Sequence, residues 1–296
     1  MKTIPLSVLA HEGPGSRAYL VMMAEAGFRP SSIIVMIASH GQAGGNGKRV
    51  GRFLPNALRT RYATMVQEVQ RMYWPRRIRK EHPTLYKAIV NGLSPLIKEP
   101  RQKLAAMTGK FDWNQYSDSV NRFTIKDYGD QAVLQALQKN AVNNVLFTGG
   151  GIIPKSLIES ANRFIHIHPG KLPHVRGADG ILWSTLVRGR PGATCFYMSD
   201  GIDTGNIIET HDLPATTFQI SEDNRPNDQT LYRAIFSFYD PLLRAKVFSD
   251  ILTKHHGYLP DSGWPQSNTE GTTYHFMHPA IRKKALSRIF VTTQPG

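Results

Sequence analysis

The chain has 296 residues, 41% of them hydrophobic and 20% charged, enough apolar side chains for a sizeable core built as one large domain or two modest ones. No apolar stretch approaches the roughly 18 residues of a membrane span, and MKTIPLSVLAHEGPG turns polar too early for a signal peptide, so a soluble, cytoplasmic protein with no membrane partner is expected. The formal charge of +14 is concentrated: 15 Lys or Arg and only the acids Glu68, Glu81 and Glu99 lie between Lys48 and Lys110, so +12 belongs to one segment and +2 to the rest.

From the N-terminus, the aliphatic runs at 4–9 and 32–38 flank a helix-like stretch, SRAYLVMMAEAGF, that closes on Gly27, a β-α-β unit. A glycine-rich loop, HGQAGGNGK, comes next. Two helical stripes follow, one through Leu58, Tyr62, Met65, Val69 and Met72, the other through Leu85, Ile89, Leu93 and Leu96, punctuated by Pro75, Pro83 and Pro100. Alternation then resumes with NRFTI, DQAVLQALQKN, NNVLFT, PKSLIESAN, RFIHIH, ILWSTLVRG and ATCFYMSD. This pattern predicts an α/β fold, a mostly parallel Rossmann-like sheet with helices on both faces. Cys195, the one cysteine, lies in the last of these strands; it excludes a disulfide framework and reads as a buried strand residue. A long helix at 228–252 is kinked or broken at Pro241. The expected division is a catalytic domain over 1–255, with a basic helical insertion at about 45–112, and a small C-terminal extension over 256–296, rich in Pro, Gly, Ser and Thr.

In an open parallel sheet ligands bind at the carboxyl ends of strands. RFIHIH places His166 and His168 on one face and runs into a loop stiffened by Pro169 and Pro173. ATCFYMSD runs into DGIDTG, expected to bring Asp200 and Asp203 to the same edge. VLFT runs into GGGIIP, whose glycines admit a flat ligand or simply make a tight turn. An HxH pair alone is more often structural than functional. With a third ligand, Asp203 or His174, the pair could instead hold zinc and activate water, a metal-dependent hydrolase as the rival reading.

The segment HIHPGKLPHVRGADGILWSTLVRGRPGATCFYMSDGIDTGNII resembles the signature of N10-formyltetrahydrofolate-dependent formyltransferases: Asn-x-His-Pro-Ser-Leu-Leu-Pro, then Asp-x-Gly-x-Asp-x-Gly about 35 residues on. The preceding GGIIP is similar to the family's Gly-x-Ile-Leu-Pro loop. The likeness covers roughly 130–250, with weaker echoes in the first β-α-β unit and in WPQ…GTTY. It implies a formyl group moved from N10-formyltetrahydrofolate to an amine, without a metal, by a catalytic set of His166, His168 and Asp203. It also implies a folate site of Gly150, Gly151, Ile152, Ile153, Asp200, Gly201 and Ile202. Two positions depart from the pattern. His166 stands where the family has Asn, and its ring N–H is expected to replace the amide as the oxyanion donor; Gly170 stands for Ser.

The basic segment reads either as a solvated helical face or as a platform for an acidic substrate. The second reading makes Arg76, Arg77 and Arg79, beside Trp74, together with Arg176, the substrate-binding residues. About 40 residues follow the long helix, too few for a tRNA-binding domain. The expected partner is therefore a small anionic amine, a nucleotide-linked amino sugar or hydroxyornithine, rather than nucleic acid, with a homodimer left open. Formyltetrahydrofolate hydrolysis and a catalytically degenerate binding protein are the remaining alternatives.

Overall fold

The computed structural model describes residues 1–38, 55–139, 142–160, 163–267 and 270–293. The glycine-rich loop at 40–48 and the start of the basic segment, Lys48 to Arg52, lie outside the described residues. The first unit is β1 (Lys2–His11), α1 (Pro14–Glu25) and β2 (Phe28–Ala38). Four helices follow, α2 (Asn56–Arg71), α3 (Tyr73–Glu81), α4 (Pro83–Leu93) and α5 (Pro100–Thr108). Pro83 and Pro100 each sit at a helix start, where the absent N–H has no partner to lose.

Alternation then returns with β3 (Val120–Ile125), α6 (Gln131–Lys139), β4 (Asn144–Phe147), the short α7 (Lys155–Ile158) and β5 (Arg163–His168). After β6 (Val175–Gly177) and α8 (Gly180–Arg188) come β7 (Gly192–Tyr197), β8 (Ile207–Asp212) and β9 (Phe218–Ser221). The long helical stretch is α9 (Asp228–Ala234), a π turn at Ile235–Tyr239 and α10 (Asp240–Lys254). The wide turn therefore falls just before Pro241, which sits in the first turn of α10 and so keeps its ring out of a continuous ladder. The chain finishes with β10 (Thr272–Tyr274), α11 (Pro279–Ile289) and β11 (Phe290–Thr293).

The main sheet has the order β3-β2-β1-β4-β5-β7-β8 among the described residues. From β3 to β5 every pairing is parallel, whereas β5/β7 and β7/β8 are antiparallel. Both faces are buried, as the unbroken aliphatic runs require. Val8, Ala10, Ile33 and Val35 pack on the side of α1 and α10, while Leu9, Ile34, Met36 and Val145 pack with Val133 and Leu137 of α6. Period-two alternation thus feeds two core layers.

One predicted stripe is placed differently. In α2, Leu58, Met65 and Val69 are exposed, and Ala63 and Gln67 face inward instead. Gln67 explains the rotation: its Nε2 donates to the Met36 carbonyl at 2.9 Å and its Oε1 accepts from the Ala38 amide at 2.9 Å. The polar demand of the end of β2 overrides the helix's own apolar period, because an unpaired buried backbone group costs about 1–3 kcal/mol. The stripe of α4 is buried as its spacing predicts, with Leu85, Ile89 and Leu93 closed from solvent.

Candidate active site

A cavity of about 480 Å³ opens beside the carboxyl ends of β4 and β5. Its wall includes Gly149–Ile153, His166, His168 and the 198–203 stretch. The first loop is set by backbone geometry. Gly151 has φ 104°, in the left-handed region, and a Cβ on Gly149 would stand 2.7 Å from the Phe147 ring. The Tyr128 hydroxyl donates to the Gly150 carbonyl at 2.7 Å and holds the loop, so the tight-turn and ligand-loop readings describe the same residues. Ile153 is buried and Ile152 is exposed at the cavity.

Asp203 reaches the site by a route that strand-end reasoning did not foresee. Because β7 runs antiparallel to β5, its carboxyl end at Tyr197 lies opposite Ile165, while His168 lies opposite Thr194. The 198–206 loop folds back across β5 instead of ending at a shared edge. Gly205 permits this: a Cβ there would meet the Tyr197 carbonyl oxygen at 1.7 Å. Asp203 is held with φ 54°, a conformation costing an L residue roughly 1–2 kcal/mol. Its anchors are the Gly177 amide, which donates to Oδ2 at 2.8 Å, and Gln266 Nε2, which donates to the Asp203 carbonyl at 2.9 Å.

His168 is 2% exposed, with Nδ1 3.2 Å from Asp203 Oδ2 and Nε2 2.8 Å from the Val175 carbonyl. A carbonyl only accepts, so Nε2 carries a proton. The Nδ1 contact is then a hydrogen bond only when His168 and Asp203 hold a further proton between them. Such a pair can pass a proton to a bound molecule and recover it. The Gly at position 170 follows from this packing. A Cβ there would stand 2.8 Å from both His168 Nε2 and the Val175 oxygen, so a side chain would push the imidazole off its carbonyl.

His166 departs from its expected role. Its Nδ1 is 3.0 Å from the Phe147 carbonyl, which can only accept, so the ring N–H is spent there. Burial, then the nearby charge of Arg244, pushes its pKa down to about 4, against the opposing effects of the Phe147 bond and Asp203. The ring is neutral at neutral pH and turns a lone pair, not an N–H, to the cavity. An oxyanion donor is the one thing this ring does not offer.

The arginines proposed for substrate binding lie elsewhere. Arg76 pairs with Glu68 at 2.5 Å, Arg77 with Glu81 at 2.6 Å, and Arg79 donates to Thr108 Oγ1 at 3.4 Å; none lines the cavity. Arg176 is buried and donates to Gln266 and to the Ser267 carbonyl. Each of the four guanidinium groups has a protein partner, and none of them lines the cavity. The residues that reasoning from sequence missed come from the last segment: Thr273, Tyr274, His275 and Phe276 line the cavity, and Phe276 is 80% exposed. The GTTY echo was the signal. Its Gly271 has φ 84° beside the Pro173 carbonyl, and Tyr274 stacks on Trp183 at 4.5 Å.

Among the described residues no group of three or more His, Cys, Asp or Glu is arranged to hold a metal ion, and no helix is long and apolar enough to cross a membrane. Cys195 is fully buried in β7, where burial pushes its thiol pKa up and keeps it an inert packing residue.

Residues 80–225 match the family model described as formyl transferase. Methionyl-tRNA formyltransferase of Syntrophus aciditrophicus is 37% identical over 105 residues, 33% of each chain, so the match spans about a third of that relative's length. Mouse mitochondrial 10-formyltetrahydrofolate dehydrogenase is 36% identical over 111 residues, 36% of this chain and 11% of its own. Among solved structures, the formyltransferase PseJ from Anoxybacillus kamchatkensis, in complex with a UDP-linked formamido sugar and tetrahydrofolate, is 26% identical. It matches over 53% of this chain and 74% of its own, with a TM-score of 0.36.

Proposed function

Since the chain belongs to the formyl transferase family, we propose that it moves a formyl group from N10-formyltetrahydrofolate to a small-molecule amine in the cavity beside β4 and β5. The observation that carries this reading is the His168–Asp203 contact of 3.2 Å in the wall of a cavity that also offers apolar side chains and backbone edges. A pterin is flat, with an edge of donors and acceptors. The Gly149–Ile153 and Asp200–Asp203 stretches supply facing backbone groups for that edge, while Ile152, Met198 and Ile202 supply apolar contact. Phe276, exposed at the same cavity, suits the aromatic ring that follows the pterin.

In the reaction a neutral amine attacks the formyl carbon, the bond from that carbon to N10 breaks, and the proton lost by the amine ends on N10. His168 is the group for that transfer, and Asp203 orients it and balances its charge. For the acceptor the reading is a small-molecule amine, with an amino sugar on a nucleotide first among the options; no Lys or Arg among the described residues lines the cavity. The test is a screen of amines with N10-formyltetrahydrofolate, following tetrahydrofolate release and formamide formation together, with and without chelator. Amine-dependent release that survives the chelator supports the reading. Release that ignores the amine points to hydrolysis of the folate, and activity that returns only with added zinc rejects transfer.

A further inference from the structure

The two histidines of β5 lie two residues apart on one face yet are wired oppositely. His168 has both ring nitrogens engaged, whereas His166 has one, and its Nε2 makes no hydrogen bond among the described residues. The Phe147 ring and the Phe196 ring, at 6.1 Å and 6.0 Å between centroids, flank the imidazole and restrict its rotation. Three charged or titratable neighbours act on it: Arg244 from α10, Asp203 from the folded-back loop and His168 from the same strand. Arg244 is paired with Asp240 at 2.6 Å. With Nδ1–H committed to a carbonyl, the ring faces the cavity with a fixed acceptor.

We propose that His166 binds the acceptor amine: its Nε2 accepts a hydrogen bond from the amine N–H, which aims the nitrogen lone pair at the formyl carbon. The assignment rests on the formyl-transfer reading for the identity of the reaction, but the acceptor state of the ring rests on the Nδ1 contact with the Phe147 carbonyl and on the burial that keeps the ring neutral. A fixed neutral acceptor takes an N–H donor and leaves the lone pair of an uncharged amine available to the electrophile. An amide side chain at this position can rotate to present either a donor or an acceptor, whereas this ring presents one face only. His166 therefore positions the amine nitrogen and cannot double as the stabiliser of the developing oxyanion.

The test is nitrogen NMR of the full chain labelled at histidine, with hydroxylamine as the amine probe and 5-formyltetrahydrofolate as the non-reacting folate. From about pH 5 to about pH 8, His166 should show Nδ1 protonated and Nε2 bare, and hydroxylamine should move the Nε2 resonance toward the hydrogen-bonded range. In His166→Phe, which keeps ring volume, kcat/KM for hydroxylamine with N10-formyltetrahydrofolate should fall at least about tenfold while 5-formyltetrahydrofolate binding is unchanged. In His166→Asn, which keeps an acceptor, most activity should remain. An Nε2–H tautomer, an Nε2 resonance indifferent to hydroxylamine, or a His166→Phe chain as active as the wild type overturns the proposal. A wild-type chain that shows the Nε2 shift yet formylates no amine overturns the formyl-transfer reading and leaves the amine-acceptor assignment standing.

Discussion

The basic helices α2–α5 and the cavity wall around β5 treat charge in opposite ways. In the helices, positive charge is in large excess and part of it is paired. Arg76 and Arg77 close on carboxylates, and α1 and α5 are clamped by Arg17, fully buried between Glu12 at 2.7 Å, Glu68 at 3.2 Å and the Met107 and Gly109 carbonyls. In the cavity wall, charge is scarce, and the groups that matter are defined by what their neighbours leave: the contact of His168 with Asp203, and a lone pair on His166. The buried and paired members of a dense charge run mark where a segment is held together. A sparse set of polar groups with incomplete partners marks where a ligand is awaited.

The sharpest break in this contrast is Arg17→Met. It should destabilise the fold by about 3–5 kcal/mol, read by denaturant unfolding, because it leaves Glu12 as an uncompensated buried charge. A loss under about 1 kcal/mol would mean that the clamp is not the structural core of the basic region. Next in size is Asp203→Asn in the wall. The amide is isosteric and its oxygen can still accept from the Gly177 amide, so folding should survive while kcat falls by about two orders of magnitude or more. Turnover near wild type in a folded mutant would remove Asp203 from the proton transfer.

Smaller again is Gly170→Ala. Its methyl would press on His168 and the Val175 carbonyl, and the expected outcome is about 1–3 kcal/mol of lost stability with a kcat loss of about tenfold. An alanine variant with native stability and rate would show that the loop yields at no cost. A milder effect concerns pH. Burial, chiefly, holds His11 and His166 near 4, below the ordinary 6.5, so between those values the unfolded chain binds more protons than the folded one. Stability should be full above pH 6.5 and decline as pH falls toward 4, and His166→Asn should shallow that decline in a series of thermal melts. An unchanged slope would mean that His166 does not stay neutral in the fold. The smallest effect expected is that of Arg76, Arg77 and Arg79 replaced together by Ala. With no member of the trio at the cavity, the amine KM should stay within about twofold of wild type at low salt. A clear rise in KM would restore the basic helices as an acceptor platform.

Much of the architecture was legible from local pattern, because alternating aliphatic runs and helical spacing must be satisfied by a two-sided sheet whatever its details. β1, β2, β4 and β5, the stripe of α4, the buried Cys195 and the glycine loop at 149–151 all follow from residue type and period. The family resemblance implied that His168 and Asp203 act together, and the structure brings them within 3.2 Å. Local pattern could not specify direction or partnership. That β7 turns antiparallel, so that Asp203 arrives by a loop folded back over β5, depends on long-range pairing that residue periodicity does not encode. The outward face of α2 depends on Gln67 meeting the end of β2, and the nature of His166 on which carbonyl its Nδ1 meets. The sequence by itself determined the class of fold and marked the candidate residues that it gathers. Tertiary structure alone decided which proton or lone pair each of them has left to offer, because a polar group's chemistry is set by the partners that saturate it, and those partners come from distant strands and helices.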